Sequence, residues 1–91
     1  IEAGDFPAGN GSVKTLRITE TYLTWLEKNI HLERPVSVVL DAGNGTGGGL
    51  AVPVMEKLGC DVTCLYCDMD GHFPNHHPDP TVPENMAALI N

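Results

Sequence analysis

Apolar positions fall into five blocks along this chain, and each block has its own period. Between Thr19 and His31, Tyr22, Leu26 and Ile30 recur every fourth residue, with Leu23 and Trp25 beside them. That spacing predicts an amphipathic helix over 19–31, with Tyr22 and Trp25 in the core. Thr19 stands where an N-cap belongs, and Ile18 and Leu23 where a hydrophobic staple would pair. Leu32-Glu33-Arg34-Pro35 ends the helix, because a proline disfavours helical backbone in the residue before it. Val36-Ser37-Val38-Val39-Leu40 is a short β-branched run, typical of a strand covered on both faces. Leu50, Val54 and Leu58 form a second helical stripe, and Gly59 sits where a left-handed cap closes it. Pro53 would cost about 3 kcal/mol deep in a helix, so this helix is expected to begin near Val52 or to kink there. Val62-Thr63-Cys64-Leu65-Tyr66-Cys67 reads as a second strand. Met86, Leu89 and Ile90 return to helical spacing after Thr81-x-x-Glu84, which matches a capping box.

Strand, helix, strand makes a βαβ unit, so the fold class is α/β and parallel pairing is expected. Ahead of it, residues 1–17 are rich in Gly and small polar residues, with a possible short strand at Val13–Leu16. They read as a linker or the tail of a preceding domain.

Composition narrows the picture further. Ninety-one residues, 42% hydrophobic and 19% charged, make one small domain or a piece of a larger one. The chain has no Met at position 1 and stops inside a helical pattern, which is expected of a fragment. Five basic against twelve acidic residues give a net charge of −7. Neither nucleic acid nor an anionic membrane is an expected partner without a basic footprint. No apolar run reaches about 18 residues, so no spanning helix is expected. Three cysteines without a secretory signal suit a reducing, cytoplasmic setting.

Two stretches carry candidate chemistry. The first is the turn Gly43-Asn44-Gly45-Thr46-Gly47-Gly48-Gly49, with five glycines in seven residues. Gly43-x-Gly45-x-x-Gly48 fits a dinucleotide fingerprint, and Asp68 lies about 20 residues further on, where a ribose-binding acid would stand. The favoured reading of this turn is a tight connection that needs positive φ, ahead of a phosphate-facing helix N-terminus, with the dinucleotide site last. No Lys-Ser/Thr follows, so a P-loop is excluded.

The second stretch is Asp70-Gly71-His72-Phe73-Pro74-Asn75-His76-His77-Pro78-Asp79-Pro80, continued by Thr81-Val82-Pro83-Glu84-Asn85. It holds four prolines between Pro74 and Pro83. Phe73, His77, Asp79 and Val82, each before a proline, are expected to be extended. Asp68, Asp70, His72, His76, His77 and Asp79 could crowd a metal, but the prolines forbid a helical His pair and the calcium-loop spacing is wrong. A rigid loop whose His and Asn side chains cap backbone groups is the favoured reading, with no metal site. Cys64 and Cys67, three apart on a strand, should point to opposite faces and serve as small buried hydrophobes.

Val39-Leu40-Asp41-Ala42-Gly43-Asn44-Gly45-Thr46-Gly47, Leu58-Gly59-Cys60, the Phe73–Pro80 string and Pro83-Glu84-Asn85 together resemble the α-D-phosphohexomutase superfamily. The nearest branch in appearance is the bacterial phosphomannomutase/phosphoglucomutase enzymes. The resemblance is dense from Val36 to Ile90. It implies a fragment of a four-domain enzyme that interconverts hexose 1- and 6-phosphates of glucose and mannose. A phosphoserine, a bisphosphorylated sugar (hexose 1,6-bisphosphate) and Mg²⁺ would do that work. It implies that residues 1–34 close domain 1, and that 35–91 open a three-layer α/β/α domain 2. The family's serine, metal, sugar and phosphate loops do not occur here, so no catalytic residue is expected in this chain. Gly43, Asn44, Gly45, Thr46, Asn75 and His76 are the expected cleft or interdomain residues. The partners implied are hexose phosphates and the rest of the same polypeptide. A Rossmann-type dinucleotide domain is the alternative.

Overall fold

The computed structural model describes residues 2–91. Helix α1 spans Thr19–Asn29, strand β1 Ser37–Asp41, helix α2 Gly48–Lys57 and strand β2 Asp61–Leu65. A 3-10 turn, Pro83–Met86, leads into the short helix α3, Ala87–Ile90. The two strands pair in parallel from Ser37↔Asp61 to Asp41↔Leu65, as a βαβ unit requires. Val38, Leu40, Asp41, Val62 and Leu65 are its half-buried positions. Helix α2 packs on both strands and on α1. Val13–Leu16 forms no strand, and all its residues are exposed.

Helix α1 differs from its expected face. Leu23, 4% exposed, is the buried apolar side chain, while Tyr22 and Trp25 are 45% and 57% exposed. Its contacts run to α2, and Leu23 is its buried position. Thr19 is the first helical residue, not the cap; Ile18 holds that place without a side-chain hydrogen bond. Glu27 and Lys57 lie 3.8 Å apart across the α1–α2 contact. So exposed a pair contributes at most about 1 kcal/mol.

Helix α2 starts at Gly48, so the first of the two expectations, a start near Val52, does not hold; the helix runs through Pro53. Proline forfeits the one bond that its N–H would give Gly49. The helix closes in a Schellman motif: Gly59 N–H donates to Glu56 O, and Cys60 N–H to Met55 O, both at 3.0 Å. Gly59 takes the required positive φ, +89°.

The second strand ends at Leu65 because Tyr66 turns to φ +51°. That turn breaks the alternation which would have sent Cys64 and Cys67 to opposite faces. The two cysteines are instead joined as a disulfide, with Cα atoms 6.1 Å apart. Cys64 is exposed and Cys67 half-buried, so neither is the buried hydrophobe expected from the strand pattern.

The loop also differs at two points. Phe73 is left-handed, φ +49°, directly after a tight turn that its N–H closes on Asp70 O at 3.0 Å. Val82 is extended, as its proline dictates. Thr81 does not cap the last turn, whose N-cap is Val82 with no side-chain bond. Thr81 donates instead to Asp79 Oδ1, from its N–H at 2.9 Å and its hydroxyl at 2.6 Å.

Much apolar surface is left uncovered. The radius of gyration is 19.0 Å, against about 12 Å for a compact chain of this length. The accessible surface is 7532 Å², against roughly 5,100 Å² for a compact protein of this mass.

Candidate functional site

The glycine turn and the proline loop meet beyond the C-terminal ends of the two strands. That is the edge at which open α/β sheets receive ligands. Asn44 is the pin between them. It is 6% exposed, with φ +59°, a conformation Asn tolerates better than most residues. Its N–H donates to Tyr66 O at 2.8 Å, and its carbonyl accepts from Asp70 N–H at 2.9 Å. Its side-chain amide donates to Asp68 O at 2.9 Å. Its side-chain oxygen accepts from Asn75 Nδ2 at 2.8 Å. Four polar groups of one buried residue are thus satisfied by four different residues of the β2 exit and the loop, which is what burial of an amide demands.

Asp41, the last residue of β1, makes the second tie. One carboxylate oxygen accepts the Gly43 N–H at 2.8 Å, and the other accepts His76 Nε2 at 2.8 Å. His76 Nδ1 lies 3.0 Å from the His77 carbonyl. Both ring nitrogens face acceptors, and only the imidazolium donates from both. The His77 carbonyl, and after it the Asp41 carboxylate, raise the His76 pKa above its ordinary 6.5. The Tyr66 ring meets the His76 ring edge-on, with centroids 5.3 Å apart.

Gly43 makes the close approach possible. It has φ +52°, and a Cβ there would lie 3.2 Å from His76 Cε1 and 3.4 Å from Pro78 Cβ. A cavity of about 150 Å³ opens beside this contact, lined by Asp41, Gly43, His76, Pro78, Asn85 and Leu89 among others. Half-buried Asp70 and Asp79, elsewhere in the loop, serve turns. Hydrogen bonds from His72 lower the Asp70 pKa, and those from Thr81 lower that of Asp79.

Of the six expected site residues, Gly43, Asn44, Asn75 and His76 come together. Gly45 closes the turn through its N–H to Ala42 O at 2.8 Å. Thr46 is exposed and stands outside this network. Asp41 and Tyr66 were not expected. The only signal for Asp41 is a carboxylate ending an apolar run; for Tyr66 there is none.

The arrangement is one of positioning. Gly43, Asn44 and Gly45 spend their amides on Asp41, Tyr66 and Ala42, so those donors do not face a pyrophosphate. Asp68 enters through its carbonyl, not its carboxylate. Both features count against the dinucleotide alternative. Among the described residues no three His, Cys, Asp or Glu side chains gather as a metal site, and the Asp70 carboxylate oxygen that faces His72 is already engaged. These residues do not fit a Mg²⁺ site. Among the described residues no helix is long and apolar enough to cross a membrane.

The family model described as phosphoglucomutase/phosphomannomutase, alpha/beta/alpha domain II, matches residues 20–91. A Pseudomonas aeruginosa protein named phosphomannomutase/phosphoglucomutase is 47% identical over 90 residues, 99% of this chain and 19% of that protein. A Neisseria meningitidis serogroup B phosphoglucomutase is 47% identical over 92 residues, 99% of this chain and 20% of its own length. The crystal structure of a phosphoglucomutase/phosphomannomutase family protein from Burkholderia thailandensis superposes with a TM-score of 0.89 at 44% identity. That match covers 93% of this chain and 19% of the other. The chain therefore spans about a fifth of the length of the relatives it matches.

Proposed function

Because the chain belongs to the phosphoglucomutase/phosphomannomutase family, as its α/β/α domain II, we propose that it works within an enzyme that interconverts the 1- and 6-phosphates of glucose and mannose. The match over residues 20–91, with relatives of that name at 47% identity, carries this reading. A phosphoserine would donate the phosphoryl group, a hexose 1,6-bisphosphate would turn over in the cleft, and the serine would be rephosphorylated. Mg²⁺ would neutralise the transferring group. The groups for those steps, metal ligands included, would come from outside residues 1–91, in a cytoplasmic enzyme. No residue here is assigned a catalytic role.

What this chain contributes is a wall. Asn44 and Asp41 hold the glycine turn and the proline loop together at the strand ends. Gly43, Asn44, Gly45, Thr46, Asn75 and His76 would then shape the substrate cleft or the contact with a neighbouring domain. Residues 1–34 would close a preceding domain and 35–91 would open domain 2. Helix α1 would join the two, a reading supported by the burial of Leu23 and by a family match that opens at residue 20.

The test is a coupled assay of the full-length polypeptide with glucose 1-phosphate and mannose 1-phosphate, each with catalytic hexose 1,6-bisphosphate and Mg²⁺. Formation of both 6-phosphates supports the reading. Turnover of neither sugar overturns it.

A further inference from the structure

The Cys64–Cys67 bridge stands apart from the hexose-phosphate reading. It spans Tyr66, and Tyr66 is tied to both halves of the site. Its carbonyl accepts the Asn44 N–H at 2.8 Å, and its ring meets His76 at 5.3 Å. Tyr66 also holds φ +51°, a conformation that disfavours a bulky residue and needs its surroundings to impose it. Cys67 is fixed from the other side. Gly48 packs so closely that a Cβ there would meet the Cys67 carbonyl oxygen at 2.6 Å.

We propose that Cys64 and Cys67 are a reversible redox pair whose closure sets the Tyr66 turn, and through it the seating of the glycine turn and the proline loop. A bridge that closes so small a loop adds little through chain entropy, so its effect is local. The Cα separation of 6.1 Å lies within the range that disulfides accept. Cys64 is exposed and open to a small reagent, while Cys67 is half-buried against α2.

The co-reactant is a low-molecular-weight disulfide. The Cys64 thiolate attacks one of its sulfurs, forming a mixed disulfide and expelling a thiolate. The Cys67 thiolate then attacks the Cys64 sulfur, the protein bridge closes, and a second thiolate leaves. Two protein thiols give up two electrons and two protons, and the reagent becomes two thiols. An excess of the reduced reagent reverses both steps.

The experiment equilibrates the full-length protein in oxidised and reduced glutathione buffers, followed by acid quench, alkylation and peptide mass analysis. The oxidised sample should carry the 64–67 peptide two hydrogens lighter and unalkylated. The reduced sample should carry two alkyl groups there, with Cys60 alkylated in both. Amide exchange supplies the second readout. Protection of the Asn44 N–H should fall several-fold on reduction, and equally in Cys64→Ser under oxidising buffer, while Cys60→Ser keeps the oxidised level. Alkylation of both cysteines in every buffer overturns the pair. Equal Asn44 protection in the bridged and open protein overturns its link to the site.

Discussion

His76 Nε2 lies 2.8 Å from Asp41 Oδ2, across 35 positions of sequence, and it fastens the proline loop to the end of β1. The carboxylate is 5% exposed and the imidazole 17%, so solvent screens this pair far less than the other ion pairs of the chain. The second ring nitrogen faces the His77 carbonyl. The tie is therefore strongest with the imidazole charged.

A pH dependence follows, with a defined sign. The His76 pKa is raised in the folded protein, by the His77 carbonyl first and Asp41 second. A raised pKa means that the folded state holds its proton more tightly than the unfolded chain. The stabilisation is complete below the ordinary value of 6.5 and is lost as pH rises through the higher folded value. An NMR titration of the His76 ring should give a midpoint above 6.5. In His76→Gln, stability should lose this slope on the alkaline side. A midpoint at or below the ordinary value would show that the tie does not favour the charged ring.

Asn44 gives a prediction that separates side chain from backbone. Asn44→Ala leaves the Asp68 carbonyl and the Asn75 amide without their partner and keeps a non-glycine residue at φ +59°. The expected loss is about 1–3 kcal/mol. Asn44→Gly loses the same side-chain bonds but accepts the backbone angle freely, so it should fall between Ala and the native protein. Urea denaturation of the three proteins checks the order. Equal stability of Gly and Ala would mean that the angle carries no strain.

The elements of this fold were legible because each follows from a local period. Leu50, Val54 and Leu58 mark α2, and Val36–Leu40 marks β1 to within a residue. The proline loop and glycine turn were legible as a recognisable pair of motifs. Their connection was not. Asn44 serves Tyr66, Asp68, Asp70 and Asn75 at once, and nothing in the pattern around Asn44 points to partners more than 20 positions away. Tyr66 shows the limit most plainly. Strand alternation extrapolated through it separates Cys64 from Cys67, whereas one left-handed residue brings them together. The α1 face differs for a related reason: periodicity defines a stripe, but tertiary packing decides which edge of the stripe is covered, and Leu23 is buried while Trp25 is exposed.

Neighbouring glycines of α2 should respond in opposite directions. At Gly48 a Cβ would sit 2.6 Å from the Cys67 carbonyl oxygen and 2.9 Å from Cys67 Cα, both backbone atoms that cannot swing aside. Gly48→Ala should destabilise by about 1–3 kcal/mol through overpacking. At Gly49 the same Cβ meets nothing within 4 Å. There the helix gains from alanine, by roughly 0.5–1 kcal/mol. Thermal melts of the two variants test the contrast, and a stabilised Gly48→Ala would refute the close approach of α2 to the β2 exit.

Residues 1–91 taken alone should self-associate. The two-stranded sheet leaves Val39 52% exposed, and Trp25 and Ile90 are 57% and 75% exposed. A parallel sheet is normally covered on both faces, and here α2, with only a brief α3 contact on β1, does the covering. Both strands are edge strands, because the sheet has two. Unpaired edges beside apolar surface recruit further strands. Sedimentation velocity on the isolated 91-residue polypeptide should show species larger than the monomer that grow with concentration. The same segment within the full-length polypeptide should not drive association, since the remaining chain would cover these faces. A concentration-independent monomer with cooperative unfolding would instead mark residues 1–91 as a domain sufficient in itself, and would remove the premise that other parts of a longer enzyme complete its core.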